Sequence, residues 1–190
     1  MLKKFIIIIS FVFFHISAGL AVAGDYDQQL QDSRQLIKSL ADELKSTLQS
    51  SMKKDGPVKS IEVCQVQAPL IANRLSAENI SVSRTSLKTR NSGNQSDEWE
   101  RSVLIEFEKR KKQGEPLQSM DFFEVSNVDG NQVFRYMKAI PTAEVCLKCH
   151  GSDIAPPLAE KIQSLYPDDK ATGFSKGDIR GAFSVIQNLP

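Results

Sequence analysis

Histidine is nearly missing from this chain. Of 190 residues only His15 and His150 carry an imidazole, and there is one tryptophan. Cysteine is equally sparse: Cys64, Cys146 and Cys149 are an odd number, so at least one thiol cannot pair within the chain. Charge of one sign is lacking as well. A net charge of +1 gives no strong field toward nucleic acid or anionic lipid. No internal repeat or low-complexity tract appears, and beyond residue 23 no segment is apolar enough to cross a bilayer.

The first 23 residues are the exception. Lys3 and Lys4 precede an apolar run from Phe5 to Ile16, interrupted by Ser10 and His15, and Ala21-Val22-Ala23 then fits the small-x-small rule for signal peptidase. Residues 1–23 read as a cleaved secretory signal, the alternative being an uncleaved anchor. Cleavage after Ala23 predicts a periplasmic or secreted protein that starts at Gly24 and keeps no stable membrane anchor. It also removes His15. His150 is then the single histidine of the mature chain.

Hydrophobic spacing supplies the elements. Leu30, Ile37, Leu40, Leu44, Leu48 and Met52 recur at helical intervals, predicting an amphipathic helix over 25–54 that Gly56-Pro57 ends. From Pro57 a second helix is expected, with Ile61, Cys64, Ala68, Ile71 and Leu75 on its buried stripe and a kink one turn past the cysteine, at Pro69. A strand follows over 80–87. Asp97 and Glu100 form a capping box for a helix that Trp99, Val103, Leu104 and Phe107 anchor, stopping near Gly114. Residues 120–140 read as a hairpin about Asp129-Gly130. A short helix near 157–166 and a last strand, "IRGAFSVIQ", complete the chain. The order suits an α+β fold, a small antiparallel sheet with helices packed on it.

The chemistry concentrates in "CLKCH", residues 146–150. C-x-x-C-H is the attachment pattern of a c-type haem: one helical turn sets Cys146, Cys149 and His150 on one side, two thiols for two vinyl groups and an imidazole for the iron. An exported chain is in the right compartment for it. Two rivals stay open. Cys146 and Cys149 could be a redox or structural disulfide, although no βαβ unit precedes them. Cys64, Cys146, Cys149 and His150 could hold zinc, although adjacent Cys149 and His150 strain a tetrahedral site. If haem is bound, a second histidine ligand is excluded within one protomer. The other axial donors are then Cys64, Met52, Met120, Met137, a lysine or water. Position on an apolar helix face suits Cys64 equally to plain burial and to a haem cavity.

Four separated stretches, "SIEVCQVQAPLIA", "TSLKTRN" with "DEWE", "CLKCHG" and "YPDDKATGFSKGDIRGAFSV", together resemble the PAS-like c-type haem-binding domain family, over roughly residues 57–186. The resemblance implies a PAS-like antiparallel sheet flanked by helices over 57–190. It further implies one haem c bound covalently through Cys146 and Cys149, with His150 and Cys64 as its axial ligands. A thiolate favours ferric iron, so a low potential is expected. The function expected is one-electron transfer or redox sensing with a redox or signalling protein as partner. The alternative is a haem-based gas sensor module. Enzymatic turnover is not expected, because no acid–base constellation accompanies the motif. Arg84, Arg90 and Arg135 suit propionates by chemistry, but are expected as solvated strand or loop charges.

Overall fold

The computed structural model describes residues 26–190; the expected leader peptide lies outside them. Helix α1 spans Asp27–Glu62 but is two helices in one. At Gly56 the backbone leaves helical space (φ 79°, ψ 170°), which glycine tolerates for want of a Cβ, and Pro57 restarts the helix at the position where its missing N–H costs nothing. Ser60 Oγ donates to the Gly56 carbonyl at 2.8 Å and steadies the break.

The expected kink past Cys64 takes another form. Val63–Gln67 is a π turn, in which Ala68 N–H donates to Val63 O, and α2 (Ala68–Leu75) continues beyond it. Pro69 has no N–H to offer Gln65 and needs room for its ring beside that carbonyl, and one widened turn meets both demands. The distortion therefore begins before the cysteine and includes it.

Strand β1 (Ile80–Thr85) follows, then α3 (Glu98–Lys112), whose capping box forms as the sequence predicts: Glu100 N donates to Asp97 Oδ1 at 2.7 Å and Asp97 N to Glu100 Oε2 at 3.2 Å. Strands β2 (Asp121–Val128) and β3 (Asn131–Pro141) make the hairpin. Asp129 and Gly130 both take positive φ, 52° and 85°, as a two-residue primed turn requires. A 3₁₀ turn, Glu144–Cys146, leads into the single helical turn α4 (Leu147–His150), then α5 (Pro156–Leu165) and β4 (Ile179–Asn188). The four strands form one antiparallel sheet in the order β1-β4-β3-β2.

Both faces of the sheet are covered. Alternation along β3 sends Phe134 and Tyr136 toward Ile37 and Leu40 of α1 and Ile71 of α2, and Met137 and Ala139 toward Val103, Leu104 and Phe107 of α3. A third cluster packs α5 against the second half of α1 through Ile61, Leu158, Ile162 and Tyr166, with Cys149 at its margin. That cluster sets α4 beside α1.

Candidate functional site

A cavity of about 250 Å³ opens between α1, the π turn, β1, α4 and the start of β4, and is mostly apolar. It gathers every site residue expected from the sequence: Cys64, Cys146, Cys149 and His150 all line it. Of the methionines weighed as donors, Met52 lines it too, while Met120 and Met137 are fully buried in the α3 cluster on the other side of the sheet.

The π turn carries Cys64 to the cavity wall rather than into the core; the residue is only half-buried. On the opposite side the chain turns tightly at α4. Gly151 N donates to Leu147 O at 2.9 Å, and a Cβ at Gly151 would lie 2.6 Å from that same oxygen. The glycine after His150 is thus a steric requirement of the turn.

His150 is held in one tautomer. Its Nδ1 lies 2.7 Å from Ala171 O, and a carbonyl only accepts, so Nδ1 carries the proton and Nε2 keeps a free lone pair. Burial, with help from Arg180 and Arg90, pushes the imidazole pKa down to about 3, so the ring is neutral at ordinary pH. Ala171 is fixed in turn: its N–H donates to Asp169 Oδ1 at 2.8 Å, and Asp169 Oδ2 pairs with Arg90 at 2.9 Å. Backbone bonds from Phe174 N to His150 O (2.9 Å) and Gly173 N to Gly151 O (3.0 Å) tie the same loop to α4, and the Phe174 ring meets the imidazole edge-on.

Three arginines reach this cavity, and sequence reasoning mistook or passed over them. Arg84 and Arg90 are not solvated: the Arg90 side chain is 7% exposed, and burial lowers the pKa of Arg84. Arg180 owes its place to a β-bulge. The β3–β4 register steps from Ile140↔Gly181 to Pro141↔Ile179, which leaves Arg180 as the extra residue and turns it inward. The adjacent Gly181 brings β4 so close to β1 that a Cβ there would sit 2.3 Å from Thr85 O. Arg135 is elsewhere, stacked over Trp99 at 4.3 Å and paired with Asp97. Strand parity would have placed Arg84 on the inner face with Val82. The bulge at Arg180 leaves no such mark.

The rivals of the haem reading fit less well. Among the described residues no three His, Cys, Asp or Glu side chains converge to hold a metal ion, as a Cys₃His zinc site needs. The three cysteines are free thiols. A neutral imidazole with its far nitrogen anchored, two thiols on one turn, a third sulfur across an apolar gap, and cations with orphaned buried N–H groups (Arg90 Nε, Arg180 Nε) fit a porphyrin with acidic side chains.

Fold and cavity together define an α+β protein of PAS-like architecture whose ligand space lies between the β1–β4 side of the sheet and its helices. The profile of the Tll0287-like family matches residues 23–188, and the chain belongs to that family. Among solved structures it is similar to the crystal structure of the cyanobacterial heme-protein Tll0287, at 24% identity and a TM-score of 0.64, covering 86% of this chain and 96% of that one. No curated protein matches it.

Proposed function

We propose that the protein is an exported mono-haem c-type cytochrome, acting in one-electron transfer or redox sensing rather than in catalysis. The observation that carries this reading is the convergence of Cys64, Cys146, Cys149 and His150 on one apolar cavity, with His150 locked as a neutral Nδ1–H tautomer. The naming of its structural relative as a haem protein supports it.

In this reading the haem supplies a reversible one-electron couple. Cys146 and Cys149 hold it through thioethers on one face of a helical turn. His150 offers Nε2, and the Ala171 carbonyl keeps its ring from rotating. Cys64, which the π turn brings to the cavity wall, would also hold the iron, and as thiolate would stabilise the ferric state and lower the potential. Leu48, Ile61 and Ile140 line the cavity with hydrocarbon and hold the surrounding dielectric low. The electron donor or acceptor is a redox or signalling protein met in the periplasm.

Sensing has one observation in its favour. Met52 and Cys64 line the same cavity from either side of the Gly56 break, so a thioether is at hand if the thiolate leaves on reduction. A change of iron ligand on reduction, whether to Met52 or to added carbon monoxide, would favour sensing; unchanged ligation in the reduced protein would favour electron transfer.

The first test is to produce the chain with its leader in a host carrying the c-type maturation machinery and record the pyridine haemochrome spectrum. A spectrum with both vinyl groups saturated is expected, changing to one saturated vinyl in Cys146→Ala. Exported protein without covalent haem overturns the proposal.

A further inference from the structure

The charges around the cavity do not balance. Arg84 of β1, Arg90 in the following loop and Arg180 of the β4 bulge all line it, and the only carboxylate ion-paired with any of them among the described residues is Asp169, on Arg90. His150 Nδ1 donates to Ala171 O, and burial keeps the nearby Tyr166 phenol protonated. Lys88 turns away, donating to Thr172 O and lying over Phe174. Three cations against one anion leave an excess of two positive charges in a mostly apolar space.

That excess is unfavourable for the fold alone. Burial and the charges of Arg90 and Arg84 depress the pKa of Arg180 to about 10. Arg180 Nη1 finds only the Ser86 hydroxyl and the Lys88 carbonyl, both at 3.2 Å, and its Nε has no partner. Arg90 uses Nη2 on Asp169 and on the carbonyls of Cys149 (2.6 Å) and Ala171 (3.4 Å), and its Nε is orphaned as well. Buried N–H donors on charged groups without acceptors mark a place where a ligand supplies them. Guanidinium groups match carboxylates in shape, two N–H to two oxygens.

We propose that Arg84, Arg90 and Arg180 form an anion subsite that holds the two propionate carboxylates of the haem, two negative charges against the excess of two. The inference rests on the haem reading and extends it to residues of that site outside the C-x-x-C-H motif. It also accounts for the β4 bulge: without the extra residue, Arg180 would stay in register with β3. Ferric porphyrin contributes one positive charge and the Cys64 thiolate one negative, so the loaded site is neutral as a whole.

The test uses the haem-loaded Arg84→Gln variant. Thioether attachment does not involve the propionates, so this variant still carries haem. Its resonance Raman propionate bending band should move. Removing a positive charge favours ferric iron, so the ferric/ferrous ratio at a fixed potential should rise about tenfold, a fall of about 59 mV in midpoint. Arg84→Lys should recover the midpoint but not the band, because an ammonium restores charge without the planar fork. Loaded Arg84→Gln protein with band and midpoint both unchanged overturns the subsite. Should that variant not fold, the wild-type band in H₂O and D₂O decides: a shift supports N–H donors on the propionates, and no shift refutes them. Wild-type protein without covalent haem is a different failure, that of the haem reading itself.

Discussion

Asp169 is the residue whose removal should be felt furthest from its own position. Its carboxylate does two things: Oδ2 pairs with Arg90 at 2.9 Å and Oδ1 accepts the Ala171 N–H at 2.8 Å, and Ala171 O in turn holds His150 Nδ1. Both partners of the ion pair are 7% exposed, so water cannot replace either. Asp169→Asn keeps an acceptor for Ala171 but strips the charge from Arg90. Breaking a buried pair on one side costs roughly 3–5 kcal/mol. Arg90 retains the Cys149 and Ala171 carbonyls, which sets the expectation at about 3 kcal/mol at the lower end of that range. For a domain of this size that lowers Tm by on the order of 6–12 °C. Asp169→Ala also loses the turn bond and should cost about 1 kcal/mol more. The assay is urea unfolding of both variants followed by far-ultraviolet circular dichroism. In Asp169→Ala the haem spectrum should broaden as well, since Ala171 no longer fixes the imidazole. An Asp169→Asn protein within about 1 kcal/mol of wild type would refute the reasoning, by showing that the pair contributes nothing net.

The remaining predictions address the ligand face and the packing. Cys64→Ala should abolish the thiolate signature in the electron paramagnetic resonance spectrum and raise the midpoint potential; unchanged g-values would exclude Cys64 as a ligand. Adding Met52→Leu to that variant should turn any residual low-spin signal high-spin, and a low-spin signal that persists would rule Met52 out as substitute donor. Gly181→Ala must push β4 away from Thr85 O, at a cost of about 1–3 kcal/mol, with lower haem loading measured per milligram of exported protein; a neutral substitution would contradict the close strand contact. Phe107→Ala, deep in the α3 cluster, should destabilise by about 3–5 kcal/mol in urea while the midpoint potential stays put, which separates packing from site.

Local signals in the sequence were strong enough to be read directly. The Asp97/Glu100 capping box and the Asp129-Gly130 turn are each a matter of a few adjacent residues, and each forms as expected. The break at Gly56-Pro57 was equally visible, because glycine and proline act on their own backbone. Helical spacing puts Cys64 on the buried stripe and predicts a simple kink beyond it, whereas the π turn leaves the residue half-buried on the cavity wall. Pro69 removes a donor, but whether the helix bends or widens depends on what packs against it. The arginines were the larger loss. Arg84 and Arg180 meet only through the pairing of β1 with β4, and the bulge that turns Arg180 inward is a property of two strands, not of one. Long-range register leaves no trace in a single strand's composition.

The π turn also separates the packing of this helix from the placing of its sulfur. The hydrogen bond from Ala68 to Val63 spans five residues where an α-helical bond spans four, so one residue is absorbed within the widened turn and the helix on either side keeps its phase. Ile61, which packs on α5, and Ile71, which packs against the sheet, therefore sit as they would on a regular helix one residue shorter. Removing one residue between Val63 and Gln67 should restore regular winding and leave both packing faces where they are. What the extra residue changes is local: it decides how Cys64, inside the widened turn, meets the cavity.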